Sequence, residues 1–456
     1  MRLVKILWPK IVTLPFFLLG TGAIWDPFDP SHNFCDEGHP TATSHAQQQC
    51  EVKVRDAYSQ FLLKNNGRDS EIYSAPARLY RDAHLNGLLK GLENFPSRIP
   101  AQLQSSQTWY LYWILHSLSL LQEPVCKSER HRLKAYLMKC QHPEGGFGGG
   151  PGQDAHVCST YAGLAALVYL GESPPNWLDF EKLKDFLLSI KRKDGSFQAT
   201  RYPSESDVRC CYCALAAAEI AGILDKEMQE GCLEYLHSLQ TYEGGICGHQ
   251  GGEAHAGYTY CALAASKLLP SQTKSCFDTN WLIRWLKDRQ CKVEGGFSGR
   301  TNKLVDSCYS FWVGACFKLL DETDFCHPLY DRISLASYIL LACQNATGGF
   351  CDRPGSLADY YHTCYSLSAL SLVHTWAQKR KAQQAAGLVD NSNTAKNQME
   401  CNLESSSNGQ RTRQYKKFSE SIIQEIKGMQ QIDPVLNICI KEITTWRKNV
   451  GTKPPK

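Results

Sequence analysis

The heptapeptide QHPEGGF, Gln141 to Phe147, returns as QTYEGGI at Gln240 to Ile246, as the one-residue-longer QCKVEGGF at Gln290 to Phe297, and as QNATGGF at Gln344 to Phe350. A degenerate copy, Asp194-Gly195-Ser196-Phe197, stands between the first two. The first turn glycines, Gly145, Gly195, Gly244, Gly295 and Gly348, recur at intervals of about fifty residues, and self-similarity at one long period is the mark of a helical repeat array. The stretches Leu183 to Ile190, Cys232 to Leu239, Trp281 to Trp285 and Ile333 to Leu341 read as the helices leading into the turns. Upstream, Ala83 to Leu92 and Thr108 to Leu121 carry apolar residues at i, i+3 and i+4, and no run sustains period-2 alternation, so the expected class is all-α. About six helix pairs of this kind form either an open solenoid or a closed α–α barrel. The helices after each turn are rich in Tyr, Trp, Cys and His, which is costly on a solvated face and sensible around a central cavity. The closed barrel is the expectation.

The whole-chain numbers exclude more than they select. A chain of 456 residues accommodates one large domain. Its 49 basic side chains against 45 acidic ones, net +4, give no reason to invoke nucleic acid, which needs a concentrated basic face. The 21 cysteines are an odd number without regular spacing; such thiols behave as small buried hydrophobes in a reducing compartment. Residues 1–25 look like a signal peptide, with Arg2, Lys5 and Lys10 ahead of an apolar run too short to span a bilayer. The odd thiol count opposes secretion, as does a glycosylation acceptor, Asn345-Ala346-Thr347, inside a Gly-Gly turn. The expected location is therefore cytoplasmic, without stable membrane insertion.

The pattern divides the chain into an N-terminal disordered extension over 1–50, a barrel over 51–378, a polar linker over 379–430 and a C-terminal segment over 431–456 packing back on the barrel. The linker is rich in Lys, Gln, Asn and Ser. Tyr415 to Met429 inside it reads as a short amphipathic helix using Phe418, Ile422 and Ile426.

The densest chemistry follows the fourth turn, in RTNKLVDSCYSFW from Arg300 to Trp312. Asp306 and Cys308 sit where a loop becomes a helix, and the matching place in the next repeat, Asp359 to Tyr365, holds His362. One carboxylate, one thiolate and one imidazole from neighbouring helices leave the fourth tetrahedral position open, the arrangement of a catalytic zinc. Singly, each has an ordinary reading: Asp306 a helix cap, Cys308 core, His362 a satisfied buried imidazole.

The strings EGGFGGGPGQ, DVRCCYCALAA, YEGGICG, EAHAGYTYCALAA, EGGFSGRTNKLVDSCYSFW and DYYHTCYSLSALS, with TWYLYWILHSLSLL upstream, resemble the β subunits of the protein prenyltransferase family, in its farnesyltransferase branch. The resemblance runs from Asp82 to Trp376, with an echo at Asp433 to Trp446. It implies one Zn²⁺ on Asp306, Cys308 and His362, the same residues being catalytic, and a diphosphate site of His255, Arg300, Lys303 and Tyr309. It also implies Mg²⁺ near Asp352. The prenyl and peptide pocket would be lined by Trp109, Trp113, Arg209, Tyr212, Tyr258, Cys261, Trp312, Tyr361 and Tyr365. Several of these lie three or four residues apart, on common helix faces. An aromatic as bulky as Trp109 implies a farnesyl donor. The implied partners are an obligate α subunit, farnesyl diphosphate and proteins ending in C-a-a-X. Three other readings stay open: a geranylgeranyltransferase β subunit with a deeper pocket, a terpene cyclase, and a non-catalytic helical-repeat scaffold. Cyclases rely on clustered aspartates, and no D-x-D-D or D-D-x-x-D string occurs.

Overall fold

The computed structural model describes residues 25–66, 69–72, 77–171, 173–270, 276–320, 329–386 and 407–450. In chain order its elements are α1 (Ala42–Leu62), a hairpin of β1 (Leu63–Asn66) and β2 (Asp69–Ile72), α2 (Arg81–Glu93), α3 (Gln107–Leu120), α4 (Lys127–Cys140), α5 (Val157–Leu170) and α6 (Phe180–Ser189). Then come α7 (Val208–Ala221), α8 (Lys226–Gln229), α9 (Cys232–His237), α10 (Ala256–Leu268), α11 (Thr279–Lys287), α12 (Tyr309–Leu320) and α13 (Arg332–Ser337), which a π turn extends through Tyr338–Ala342. The last elements are α14 (Tyr360–Ala385), α15 (Ser407–Glu425), a small hairpin of β3 (Ile432–Asp433) and β4 (Ile438–Cys439), and α16 (Ile440–Val450). The two antiparallel hairpins qualify the all-α expectation without changing the class. No helix among the described residues is long and apolar enough to cross a membrane.

Six helices form the inner wall: α3, α5, α7, α10, α12 and α14 each pack on the next, and α14 packs back on α3, so the ring is closed. Outside them α2, α4, α6, α9, α11 and α13 each pack on the inner helix that follows. Composition explains which is which. Inner helices are buried nearly all round and are paved with small residues, such as Ala214, Ala216, Ala217 and Ala218 of α7, which let neighbours approach closely. Outer helices bury one stripe, such as Leu183, Phe186 and Leu187 of α6, spaced i, i+3, i+4 as an amphipathic helix requires.

The repeated turn is the joint between pairs. Gln240 and Gln290 each set a side-chain amide against the backbone of the residue capping the next outer helix. Gln240 Nε2 donates to the Asp278 carbonyl at 3.0 Å while its Oε1 accepts from Asp278 N at 2.8 Å, and Gln290 does the same with Asp331 at 2.8 and 2.9 Å. In the degenerate copy Lys191 stands in the glutamine's place, and its Nζ donates to the Glu230 carbonyl at 2.8 Å.

Closure uses the same device across the whole chain. Gln344 Nε2 donates to Arg78 O, and its Oε1 accepts from Tyr80 N, both at 2.7 Å. Gly348 has φ +103°, and a Cβ there would run into the Ala83 carbonyl, so only glycine fits the seam. His84 accepts from Gly349 N at Nδ1 (2.8 Å), which leaves its Nε2–H to donate to Gln344 Oε1 (2.8 Å), and its ring stacks on Phe350.

Several expectations outside the barrel are corrected. The expected boundary at residue 51 is too late: the first helix begins at Ala42, where Thr41 and Ser44 bond reciprocally at its start. The expected disordered extension is ordered from Trp25, which is buried, donates to Lys292 O and lies edge-on to Tyr58. The α14 helix continues through Ala385 into the expected linker, and α15 occupies more of that linker than the short helix foreseen. Phe418, Ile422 and Ile426 are nevertheless all buried. The signal-like residues 1–24 and linker residues 387–406 lie outside the described residues.

The seam yields a stability test. Removing the amide by Gln344→Ala unpairs backbone groups at the closure and should cost about 1–3 kcal/mol in chemical denaturation. Burial holds His84 below its ordinary 6.5. Its contribution is therefore complete above pH 6.5 and is lost as pH falls through the depressed value. The His84→Gln variant should show a flatter acid limb than the parent.

Candidate metal centre and active site

The three residues singled out after the fourth and fifth turns do converge. One ligand atom from each of Asp306, Cys308 and His362 lies within 4.8 Å of the other two. Local structure places each of them. Asp306 follows the Ser298–Val305 bridge, and its Oδ1 accepts from Cys308 N at 2.8 Å, folding the backbone so that carboxylate and thiol sit on the same side just before α12. Ser307, between them, anchors the loop to the next repeat: its N donates to Asp352 O (2.9 Å) and its Oγ to Cys351 O (2.7 Å). His362 is in the first turn of α14, whose cap is Asp359. Asp359 Oδ1 accepts from His362 N at 2.7 Å and Oδ2 faces His362 Nδ1 at 2.8 Å. That leaves Nε2 pointing at Asp306 Oδ1, 3.4 Å away.

This donor set fits a divalent ion. Ligand atoms held at roughly 2.0–2.3 Å from one tetrahedral ion lie about 3.3–3.8 Å apart, so the site closes around one when the side chains draw together by about an ångström. The electrostatics agree. Burial pulls the His362 imidazole down, but its hydrogen bonds and charge contacts with Asp306 and Asp359 outweigh that and push it up to about 10. Burial opposes ionisation of Asp306, yet His362 holds its carboxyl below the ordinary range. Burial, then the Asp306 charge, pushes the Cys308 thiol well above its usual value. A dication can replace both the imidazolium proton and the thiol proton.

Next to the triad is the expected diphosphate group. His255 caps α10, its Nδ1 accepting from Gly257 N at 3.0 Å, so the neutral ring carries its proton on Nε2 and donates to Tyr309 Oη at 3.1 Å. Burial, then Arg300, pushes His255 down to about 4, so it is a neutral donor. Tyr309 directly follows Cys308, which ties this group to the triad. Arg300 Nη1 pairs with Glu253 Oε2 at 3.0 Å, and Lys303 is exposed. Asp352 is not one of the three converging ligands; its carboxylate pairs with Arg353 at 3.2 Å.

Residues 79–438 match the prenyltransferase α–α toroid domain. The chain belongs to the prenyltransferase α–α toroid family. It is 33% identical over 439 residues to the protein farnesyltransferase subunit beta of Arabidopsis thaliana, covering 80% of this chain and 90% of that one. It is 39% identical over 302 residues to the corresponding subunit of Schizosaccharomyces pombe, covering 64% and 77%. Among solved structures, Candida albicans protein geranylgeranyltransferase-I complexed with GGPP superposes with a TM-score of 0.61 at 20% identity, over 82% of this chain and 99% of that one. That last likeness concerns the fold.

Inside this toroid the expected pocket residues sort by depth. Trp109, Trp113, Tyr258, Trp312 and Tyr361 are part-exposed, whereas Tyr212, Cys261 and Tyr365 are buried behind them. Arg209 pairs with Asp207 at 2.5 Å and lies over the Tyr258 ring. The rings join into a closed girdle: Trp109, Tyr161, Tyr212, Tyr260, Trp312, Tyr365, Tyr361, Trp113 and back to Trp109, with successive centroids 4.3 to 6.1 Å apart.

Sequence reading missed Tyr161 and Tyr260 in that girdle, along with what they hold. Tyr112, Tyr161, Tyr212 and Tyr260, from four successive inner helices, donate to the carbonyls of Asn437 (2.7 Å), Leu436 (2.6 Å), Val435 (2.8 Å) and Val435 again (3.0 Å). The C-terminal segment thus plugs one end of the toroid, and Trp446 locks it with a bond to Ile220 O. Aligning repeats on the caps His156, Asp207 and His255 puts Tyr161, Tyr212 and Tyr260 in one column, five residues on, which is the signal that could have found them. Also missed was Asp359 as the residue that orients His362.

Two measurements follow from this centre. Because loading displaces two protons, affinity for a divalent ion should climb steeply between about pH 5 and 8. Asp359→Asn keeps a helix cap but loses the charge on Nδ1, and competitive chelator titration should show affinity reduced about 10–100-fold.

Proposed function

We propose that this chain is the catalytic β subunit of a zinc-dependent protein farnesyltransferase, joining farnesyl to the cysteine thiol of a C-terminal C-a-a-X sequence. The names of the relatives support the activity class. The observation that carries the chemistry is the adjacency of two groups at one mouth of an aromatic-lined ring: an Asp–Cys–His triad, and His255 hydrogen-bonded to Tyr309.

A farnesyl chain is apolar and needs a dry pocket, which Trp109, Trp113, Trp312 and Tyr361 provide. Its diphosphate needs donors where negative charge grows as it leaves, and His255, Tyr309, Arg300 and Lys303 would supply them. Asp306, Cys308 and His362 would hold Zn²⁺, which would supply the Lewis acidity that lowers the pKa of the substrate cysteine. A C–S bond forms at the first carbon of the lipid as its C–O bond breaks, and the thiol proton passes to solvent. Asp352, once turned from Arg353, would place Mg²⁺ on the diphosphate. Arg209, beside Tyr258, would meet the polar peptide end. A helical α subunit would complete the enzyme in the cytoplasm.

The decisive experiment is co-expression with an α subunit, followed by transfer of labelled farnesyl to a C-a-a-X peptide and by metal analysis. Cys308→Ala should lose both zinc and transfer while still folding; unchanged zinc content would sink the ligand set. Turnover with fifteen- and twenty-carbon donors tests the pocket. The parent should prefer the shorter, and Trp109→Ala should shift preference toward the longer, whereas a parent preferring the longer donor is a geranylgeranyltransferase.

A further inference from the structure

Two glutamates, one in the third turn and one in the loop after it, hold the loop that carries Arg300 and Lys303. Glu243 Oε2 accepts from Thr301 Oγ1 at 2.8 Å, and Arg289 Nη1 donates to the same hydroxyl at 3.2 Å. Glu243 Oε1 also accepts from Ala254 N at 3.4 Å. These bonds fix the loop, whose bend is made at Asn302 with φ +57°. The second glutamate is different in kind. Glu253 Oε2 takes Nη1 of Arg300 itself at 3.0 Å, and both side chains are accessible, at 47% and 40%. Glu253 stands two residues before His255, so its carboxylate borders the very group that would receive a diphosphate.

We propose that Glu253 is a resident counter-ion for Arg300, a positioning residue that occupies the guanidinium when no diphosphate is bound and competes with diphosphate for it. This inference rests on Arg300 being a diphosphate contact, as argued under the proposed function. An arriving diphosphate must take Nη1 from Glu253 and then sit beside that carboxylate, so the residue weakens binding. The same carboxylate reclaims Arg300 as inorganic pyrophosphate departs, which favours product release over a site that would otherwise stay clamped. Because the pair is accessible, water and salt screen it, and its effect is a matter of severalfold, not of orders of magnitude.

The test uses the co-expressed complex with inorganic pyrophosphate as the probe, read as its inhibition constant against the prenyl donor. Glu253→Gln keeps the shape and removes the charge; the constant should fall about two- to fivefold, and the gain should shrink with added salt. Glu253→Ala should move it the same way. In an Arg300→Gln background the Glu253→Gln gain should shrink to the small part due to direct repulsion, which separates a counter-ion from a merely structural glutamate. An unchanged or raised constant in both Glu253 variants overturns the proposal, as does an equal gain without Arg300. Arg300→Gln alone should raise the constant; if it does not, the assignment of Arg300 fails first, and the two failures are told apart.

Discussion

The close approach of a glycine turn to the start of the next outer helix is the contact on which everything else depends. At Gly348 the turn lies directly against the Ala83 carbonyl, leaving no room for a side chain, while the glutamine four residues earlier pairs its amide with backbone on the far side. A joint made of backbone on one side and one amide on the other has little freedom. The glycine contact recurs at Gly145, Gly195, Gly244 and Gly295, each against backbone of the next outer helix or its cap, and at the sixth pair α14 meets α3.

Closure is what makes a site out of parts. Asp306 and Cys308 belong to the fifth pair and His362 to the sixth, and their loops are stitched together by Ser307 bonding to Cys351 and Asp352. His255 comes from the fourth pair and reaches the same place through Tyr309. In an open solenoid these neighbours would still touch, but Trp109 and Trp113 of the first pair would lie far from Tyr361 of the last. The girdle of rings closes only because the ends of the repeat array join.

How much of this was legible in the sequence follows from how each contact is encoded. The metal triad was legible because equivalent positions in adjacent repeats fall on adjacent helices, so Cys308 and His362 could be brought together without coordinates. The turn glycines were legible because nothing else tolerates their backbone. Closure was expected from the aromatic and thiol-rich helices, but the contacts that make it were not legible, since Gln344 is 264 residues from Tyr80 and the amide meets backbone that carries no side-chain signature. The tail's return to the barrel was expected from its apolar residues, but what it bonds to was hidden for the same reason: Asn437, Leu436 and Val435 accept through carbonyls that any residue would have offered. Tyr212 was accordingly read as pocket lining without its hydroxyl's commitment to the chain's own tail.

That commitment shapes the pocket in turn. A tyrosine hydroxyl buried without a partner is costly, so four of them on the inner wall demand acceptors at one level of the toroid, and the tail supplies them. With the hydroxyls drawn down to the plug, the rings present apolar faces and edges to the space above, where Trp109 and Trp113 lie part-exposed. Depth is then set by two layers, the indoles and the tail beneath Tyr161 and Tyr212. On the proposed function, a substitution at Trp109 would lengthen the lipid pocket only as far as that second layer, because moving it would strand four hydroxyls at once. The floor is thus rigid for the same reason that the wall is closed: polar groups with no water nearby must keep the partners the fold assigns them.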